Sequence, residues 1–383
     1  MANPLLPATA SPTEYDSLAT MLLARWRRGD PAARQHFRHM LPRFRNPKVQ
    51  WMALPITEEQ LQAETFDMDD ARAAVAMAHH FASWDDLARF ATAMSNQDPE
   101  IYPFECAVDA VVNGDLASLE ALLTADASLA HQRSRRVTTF DPPVHGAMLL
   151  HYIAANGVEN SRQRTPANAV DIATALLDSG ADPNAFAWLY GGKCTTLALL
   201  VSSSHPAAAG VHLALVELLV ARGAELRPSG EGNWTSPVET ALVFGFRDSA
   251  ELLLRLGAPL SLAAAAALGR VGDAAALLRI ASAEERHRAL AVATQAGQVE
   301  TTRLLLDAGE DPNRFNPPGT HAHTPPIHQA IWNGHLDVVR LLVERGARLD
   351  IRDIHHHSTP LGWARYAGHT AIVEYLTSTG APV

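Results

Sequence analysis

The residues able to do chemistry fall into three groups. Histidine is abundant, with 18 in the chain, and the densest cluster is His321-Ala322-His323, His328 and His355-His356-His357. Imidazoles ligate Zn²⁺ or Ni²⁺ when three or four converge on one centre. Three consecutive side chains such as His355, His356 and His357 cannot all point to one centre, so no metal is expected. The second group, Gly191-Gly192-Lys193-Cys194-Thr195, carries the Gly and Lys of a phosphate-binding loop. The first Gly of that motif would fall on Ala187, and Cys194 stands where Ser or Thr would hold Mg²⁺, so no nucleotide is expected. The third comprises Asp141, His145, His151, Tyr152 and Glu239, all capable of acid–base work. Such catalysis needs paired groups within hydrogen-bond reach, which spacing alone does not supply. Nucleophile elbows, His-Glu-x-x-His phrases and dinucleotide fingerprints are absent from the sequence, and no catalytic residue or cofactor is expected.

The composition bounds the rest. The chain has 383 residues, 47% hydrophobic and 19% charged, with 23 Gly and 24 Pro, a globular profile long enough to bury a sizeable core. A net charge of −10 argues against a surface built to neutralise phosphates. Residues 21–50 run the other way, with eight basic residues against Asp30 alone, a local +7 that leaves −17 elsewhere. No helix-turn-helix phrase or RNA-binding aromatic motif accompanies them, so they read as a solvated face partly paired with the acidic remainder, and nucleic acid is not an expected partner. Cys106 and Cys194 lack C-x-x-C spacing, which points to a reducing compartment. The N-terminus lacks a signal pattern, and the longest apolar run, 260–268, is half a membrane span. A cytoplasmic protein without membrane contact is expected.

The chain repeats itself. Phrases ending in Gly180, Gly223, Gly257, Gly309, Gly346 and Gly380 are separated by 43, 34, 52, 37 and 34 residues. The long gap holds a degenerate copy at 263–278, and an earlier copy spans 104–129, giving eight units of about 35 residues over 104–383. The last two read Pro325-Pro326-Ile327-His328-Gln329-Ala330-Ile331-Trp332-Asn333-Gly334-His335 and Thr359-Pro360-Leu361-Gly362-Trp363-Ala364-Arg365-Tyr366-Ala367-Gly368-His369. Both resemble the Thr-Pro-Leu-His-x-Ala-Ala-x-x-Gly-His phrase of ankyrin repeats. The resemblance covers three quarters of the chain and implies an all-α solenoid of helix-turn-helix units with fingers between them. The phrase has its own physics: Thr or Ser caps the first helix with Pro at its first position, Val338, Leu341 and Leu342 form one apolar stripe, and Gly ends the second helix. His328 and His151 fall on the family's His position, where the ring bonds a neighbouring turn. Glu239 replaces that His, and a partly buried carboxylate there is expected to have a raised pKa.

Ahead of the repeats, residues 15–98 read as helical but non-repeating. Leu18, Leu22 and Trp26, then Phe37, Met40, Leu41 and Phe44, mark two amphipathic segments. A helix from Asp69 to His80 and another opened by Ser83-Trp84-Asp85-Asp86 follow. This leader is similar to those of bacterial ankyrin proteins and is expected to cap the stack. The expected division is a disordered 1–14, a helical capping region 15–98 and a solenoid 104–383.

The resemblance also implies where a partner binds: at finger tips and at the two residues before each turn Gly, which project into the concave groove. Those pairs include Ala155/Asn156, Val243/Phe244, Arg270/Val271, Gln295/Ala296, Trp332/Asn333 and Tyr366/Ala367. The fingers 133–144, 183–192, 227–235 and 312–324 are long and carry Phe140, Trp188, Tyr190, Trp234, Phe315 and His323, and long loops with aromatic tips favour binding. Trp188, Tyr190, Trp234, Phe244, His323, Trp332, Asn333 and Tyr366 are therefore the expected contacts of a protein or peptide partner, made by a non-catalytic monomer. The alternative is a small-molecule binder or a hydrolase- or lyase-type enzyme using the same groove, with Asp141, His145, His151, Tyr152 and Glu239 as its groups.

Overall fold

A computed structural model describes residues 5–46, 49–139, 141–227 and 236–382. Nearly all regular structure is helical. Among the described residues the strands form two antiparallel hairpins, Arg45–Asn46 with Val49–Ala53 and Phe186–Leu189 with Gly192–Thr195. Among the described residues no helix is long and apolar enough to cross a membrane. The chain divides into two compact units, Met1–Ala224 and Glu225–Val383.

The first unit opens with helices Pro12–Arg27, Pro31–Met40, Glu58–Ala63, Met68–Ala78 and Trp84–Ser95. Their starts are written locally. Ser11 and Glu14 form a reciprocal capping box ahead of Pro12, and Asp30 accepts the Ala32 N–H at 2.8 Å beside Pro31, each satisfying an orphan helix N–H. Leu18, Leu22, Phe37, Leu61 and Leu87 are fully buried between these helices, and Phe37 stacks on Phe66 with centroids 4.2 Å apart. Three basic residues of 21–50 pair within the leader: Arg25 with Asp30 at 2.7 Å, Arg43 with Asp70 at 2.5 Å and Arg38 with Glu58 at 3.8 Å. Three helix pairs complete the unit: Tyr102–Asn113 with Leu116–Ala125, Leu149–Tyr152 with Ala169–Asp178, and Thr196–Leu200 with His212–Ala221.

The second unit is five pairs in file. The inner helices are Pro237–Val243, Leu262–Ala267, Ala283–Gln295, Pro326–Trp332 and Pro360–Ala367, each packed on the next. The outer helices are Arg247–Arg255, Val271–Leu278, Val299–Asp307, Leu336–Glu344 and Thr370–Ser378. Ile327, Ile331, Val338, Leu342 and Leu361 are at most 1% exposed, so the apolar stripes are buried by neighbours, as a stack requires.

Glycine and histidine bolt successive pairs together. Gly297 and Gly334 adopt φ +73° and +76°, the left-handed region that a Cβ penalises. The space their missing Cβ leaves is taken by the next repeat's imidazole: a Cβ at Gly297 would lie 2.6 Å from His335 Nδ1, and one at Gly334 would lie 3.0 Å from His369 Cε1. From there His335 Nε2–H donates to Gln295 O and His369 Nε2–H to Trp332 O, both at 3.0 Å. The degenerate copy differs in register from the sequence reading. Its turn is at Gly269, φ +73°, while Gly272 lies inside the outer helix, so the residues before the turn are Ala267 and Leu268, both buried, rather than Arg270 and Val271.

The bolt predicts unequal costs for two strained glycines. Gly368 has φ +75°, close to that of Gly297, but open space around its absent Cβ, so Gly368→Ala incurs backbone strain alone, about 1–2 kcal/mol. Gly297→Ala adds the clash with His335 and should lower the unfolding free energy further, by at least about 1 kcal/mol more. Equal losses in urea denaturation would refute the bolt.

Candidate functional site

The structure brings five of the expected contacts to one place. Phe244, His323, Trp332, Asn333 and Tyr366 line a single groove of about 850 Å³ in the second unit. Phe244, Trp332 and Tyr366 keep 46%, 48% and 85% of their surface exposed. They do so because each sits at or just past the C-terminal end of an inner helix, beyond the stripe that packs. Trp332 and Tyr366 occupy equivalent positions in adjacent repeats and stack with centroids 6.2 Å apart and planes at 19°.

Residues outside the expected set complete the groove. Trp363 meets Trp332 edge-on at 5.7 Å, and it lies three residues before Tyr366, hence on the same helix face. That spacing was readable in the sequence. Its orientation depends on Asp353, which was not: the indole Nε1–H donates to Asp353 Oδ2 at 3.0 Å, and the same carboxylate accepts the N–H groups of His355, His356 and Ser358 at 2.9, 2.6 and 3.0 Å. Burial would raise the Asp353 carboxyl, but these donors outweigh it and hold its pKa below the usual value. One buried carboxylate thus folds the last finger and fixes an aromatic wall.

Gln295 spans an unusual distance. Its Nε2 donates to Val243 O at 2.5 Å, two repeats away. The intervening helix Leu262–Ala267 is one leucine followed by five alanines, so its neighbours approach closely enough to bond across it. The finger above is held by Asn316 N–H to Thr324 O at 2.9 Å, and by His287 Nε2–H to Phe315 O at 2.8 Å.

The histidine cluster is part of this framework. His328 Nε2–H donates to Ser358 O at 3.2 Å, the family's bond to the neighbouring turn. His323 and His355 stack with centroids 4.4 Å apart and planes at 5°. Ring nitrogens hold their lone pairs in the ring plane, so face-to-face imidazoles do not converge on a shared ion. No group of three or more His, Cys, Asp or Glu side chains among the described residues is arranged to hold a metal. Glu239 is half-buried and accepts from Ser261 Oγ at 2.6 Å, the cap of the next inner helix.

Trp188 and Tyr190 belong to the first unit. They lie on the hairpin Phe186–Leu189/Gly192–Thr195, whose two-residue turn Tyr190-Gly191 has φ +54° and +76°, the signs of a type I′ turn. Strand alternation puts Phe186 and Trp188 outward, with Lys193 Nζ 5.0 and 5.3 Å from their ring centroids. Lys193 is thus held against aromatic rings. The Tyr190 hydroxyl donates to Asn156 Oδ1 at 2.6 Å, which staples the hairpin to the end of the adjacent repeat. Trp234 and Phe140 lie outside the described residues.

The segment 133–144 does not stand up as a finger. Ala82 N–H donates to Val137 O at 3.3 Å, and the Arg136 guanidinium lies 4.2 and 4.7 Å from the Phe81 and Phe90 centroids, so this segment is docked on the leader. Behind it lies a buried ionic core. His145 Nδ1 accepts the Ala147 N–H at 3.1 Å, which leaves its Nε2–H to donate to Glu159 Oε1 at 3.3 Å. Arg136 approaches Glu159 at 3.8 Å, and Arg162 pairs with Glu105 at 2.6 Å and Asp109 at 3.2 Å. Burial would raise the Glu159 carboxyl, but the His145 bond and the two arginines hold it far below the ordinary carboxylate range. His151 and Tyr152 join this core, fully buried, while Asp141 stays exposed. Of the acid–base candidates, then, His145, His151 and Tyr152 come together with Glu159, a residue the sequence did not single out, and all four are buried.

Two predictions follow from these environments. Removing the Glu159 charge takes the ion-pair partner from buried Arg136, so Glu159→Gln should cost about 3–5 kcal/mol in urea unfolding, the usual loss on breaking a buried pair; a cost under about 1 kcal/mol would show the core is not electrostatically coupled. Burial also lowers His79, His151, His323 and His328 to about 4, against about 6.5 in the unfolded chain. Between those values the unfolded state binds more protons, so the native state is stabilised fully above pH 6.5 and progressively less as pH falls toward 4. Stability measured from pH 7 to 4.5 should decline, and His328→Gln should reduce the slope near pH 5.5 by about one proton; an unchanged slope would show His328 titrates normally.

Comparison with known proteins agrees with this geometry. The family model of ankyrin repeats (3 copies) matches residues 260–353 and 318–383. Cyclin-dependent kinase 4 inhibitor B of Rattus norvegicus is 36% identical over 93 residues, covering 17% of this chain and 72% of that protein. Cyclin-dependent kinase inhibitor 2A of Homo sapiens is 37% identical over 97 residues, covering 24% and 60%, and the ankyrin repeat-containing protein P1E11.10 of Schizosaccharomyces pombe is 39% identical over 62 residues, covering 16% and 28%. With the stacked helix pairs and their Gly–His bolts, these matches establish that the chain belongs to the ankyrin-repeat family.

Proposed function

We propose that the chain is a non-catalytic protein-recognition module, and that its second unit takes a peptide segment of a protein partner into the groove lined by Phe244, His323, Trp332, Asn333 and Tyr366. The observation that carries this reading is the exposure of three large aromatic side chains around one cavity of about 850 Å³. Exposed aromatic clusters in concave surfaces mark binding sites, and Trp and Tyr are the commonest anchors of protein interfaces. The relatives add support for the partner's class, since the rat and human proteins are named as inhibitors of kinases, which are themselves proteins. In the same reading residues 15–98 cap the repeats of 104–383. Ile101 and Tyr102, at the start of the first repeat, pack on the leader's core, which supports that role. The module works as a cytoplasmic monomer without a cofactor.

A display library of random dodecapeptides, panned on the full chain, tests the reading. Selected peptides should bind a Trp332→Ala/Tyr366→Ala variant at least about thirtyfold more weakly, the loss of one or two interface anchors. The same peptides should bind Trp188→Ala, altered in the first unit, as they bind the wild type. Equal affinity for the double variant would remove the groove from consideration.

A further inference from the structure

The chemistry of the groove is narrower than "aromatic". None of its lining residues is Asp, Glu, Lys or Arg. Burial disfavours a positive charge on two of its imidazoles, lowering His323 to about 4 and lowering His321 as well. Three amides line it, and each commits one N–H of its NH₂ group to the protein. Gln295 Nε2 donates to Val243 O at 2.5 Å, Asn333 Nδ2 to Gln329 O at 3.0 Å, and Gln329 Nε2 to Thr324 Oγ1 at 3.1 Å. The orientation of each amide is fixed by chemistry, because backbone carbonyls accept only and the Thr324 hydroxyl already donates to His321 O at 3.0 Å. Their three side-chain carbonyl oxygens accept nothing from the described residues. The groove therefore offers flat aromatic faces and three carbonyl acceptors.

A second feature has the same sign. The Trp363 indole donates its N–H to the buried Asp353 carboxylate. A hydrogen bond to a carboxylate enriches the indole π-system and strengthens its attraction for a cation.

We propose that the groove is selective for an arginine side chain of the partner peptide, taking the guanidinium flat against the Trp332 and Tyr366 rings with the carbonyl oxygens of Gln295, Gln329 and Asn333 accepting its N–H groups. The guanidinium is planar, carries five donors and no acceptor, and is always charged, so it matches each property of the groove. Lysine, a compact strongly hydrated point charge with three donors and no plane, matches fewer. A chain with net charge −10 attracts such a partner at long range. The inference rests on the groove being the docking site, and the test separates the two.

Peptides selected on the full chain are resynthesised with each arginine replaced in turn by citrulline, which keeps the plane and loses the charge, and by lysine. One arginine position should stand out: citrulline there weakens binding at least tenfold, lysine weakens it several-fold, and neither change matters with Trp332→Ala/Tyr366→Ala. Selected peptides that need Trp332 and Tyr366 but tolerate citrulline would overturn the arginine assignment and leave the groove intact. Peptides indifferent to Trp332 and Tyr366, or none enriched over the double variant, would overturn both. A fluorescent oligo-dT or oligo-U that binds through Trp332 and Tyr366 with affinity equal to the peptides would assign the rings to base stacking instead.

Discussion

A helix of six to eight residues is not stable alone in water, because nucleation is unfavourable and few hydrogen bonds offset it. The inner helices Leu262–Ala267, Pro326–Trp332 and Pro360–Ala367 have 6, 7 and 8 residues, so each exists only because a neighbour covers its stripe. That dependence explains the devices between repeats: caps with proline at the first position, histidines filling glycine notches, and hydroxyls reaching the next turn. It also explains how large aromatic rings come to be exposed. The stripe that must be buried is supplied by Ile327, Ile331, Leu361 and Ala364, which leaves the helix ends free to carry Trp332 and Tyr366.

Local features of this arrangement were legible in the sequence. The Thr-Pro starts, the Gly-His turns and the register that turns Phe244, Trp332 and Tyr366 outward depend on residues a few positions apart, and periodicity reports them directly. What escaped depends on side-chain partners that periodicity does not report. Nothing near Asp353 announces that its carboxylate gathers four N–H donors, so Trp363 passed unnoticed as a wall of the groove. The finger at 133–144 looked like its neighbours until Arg136 found Phe81 and Phe90, about fifty residues upstream. The degenerate copy misled for a simpler reason: two glycines, Gly269 and Gly272, both fit the turn, and only the backbone decides between them.

The first unit solves a different problem. Residues 132–139, 141–147 and 157–165 contain little regular structure, yet part of each is buried, where polar groups must find partners. They do so through Glu159, His145, Arg136 and Arg162. Such ion pairs add little net stability compared with an apolar core of the same volume, but they are demanding in geometry, and a segment held by them has few alternative placements. The leader gains a fixed surface in this way: Arg136 reaches it through its π faces while answering Glu159 with its charge.

The alanine helix Leu262–Ala267 sets how far apart the rims of the groove stand. Its fully buried methyl groups are the spacers between Val243 and Gln295, so the aperture is gauged from behind, at positions that never touch a ligand. Drift in side-chain volume there, from alanine to valine or leucine, would pry the rims apart and retune the opening while every contact residue stayed the same. The breadth of what this protein grips is in that sense written in its smallest side chains.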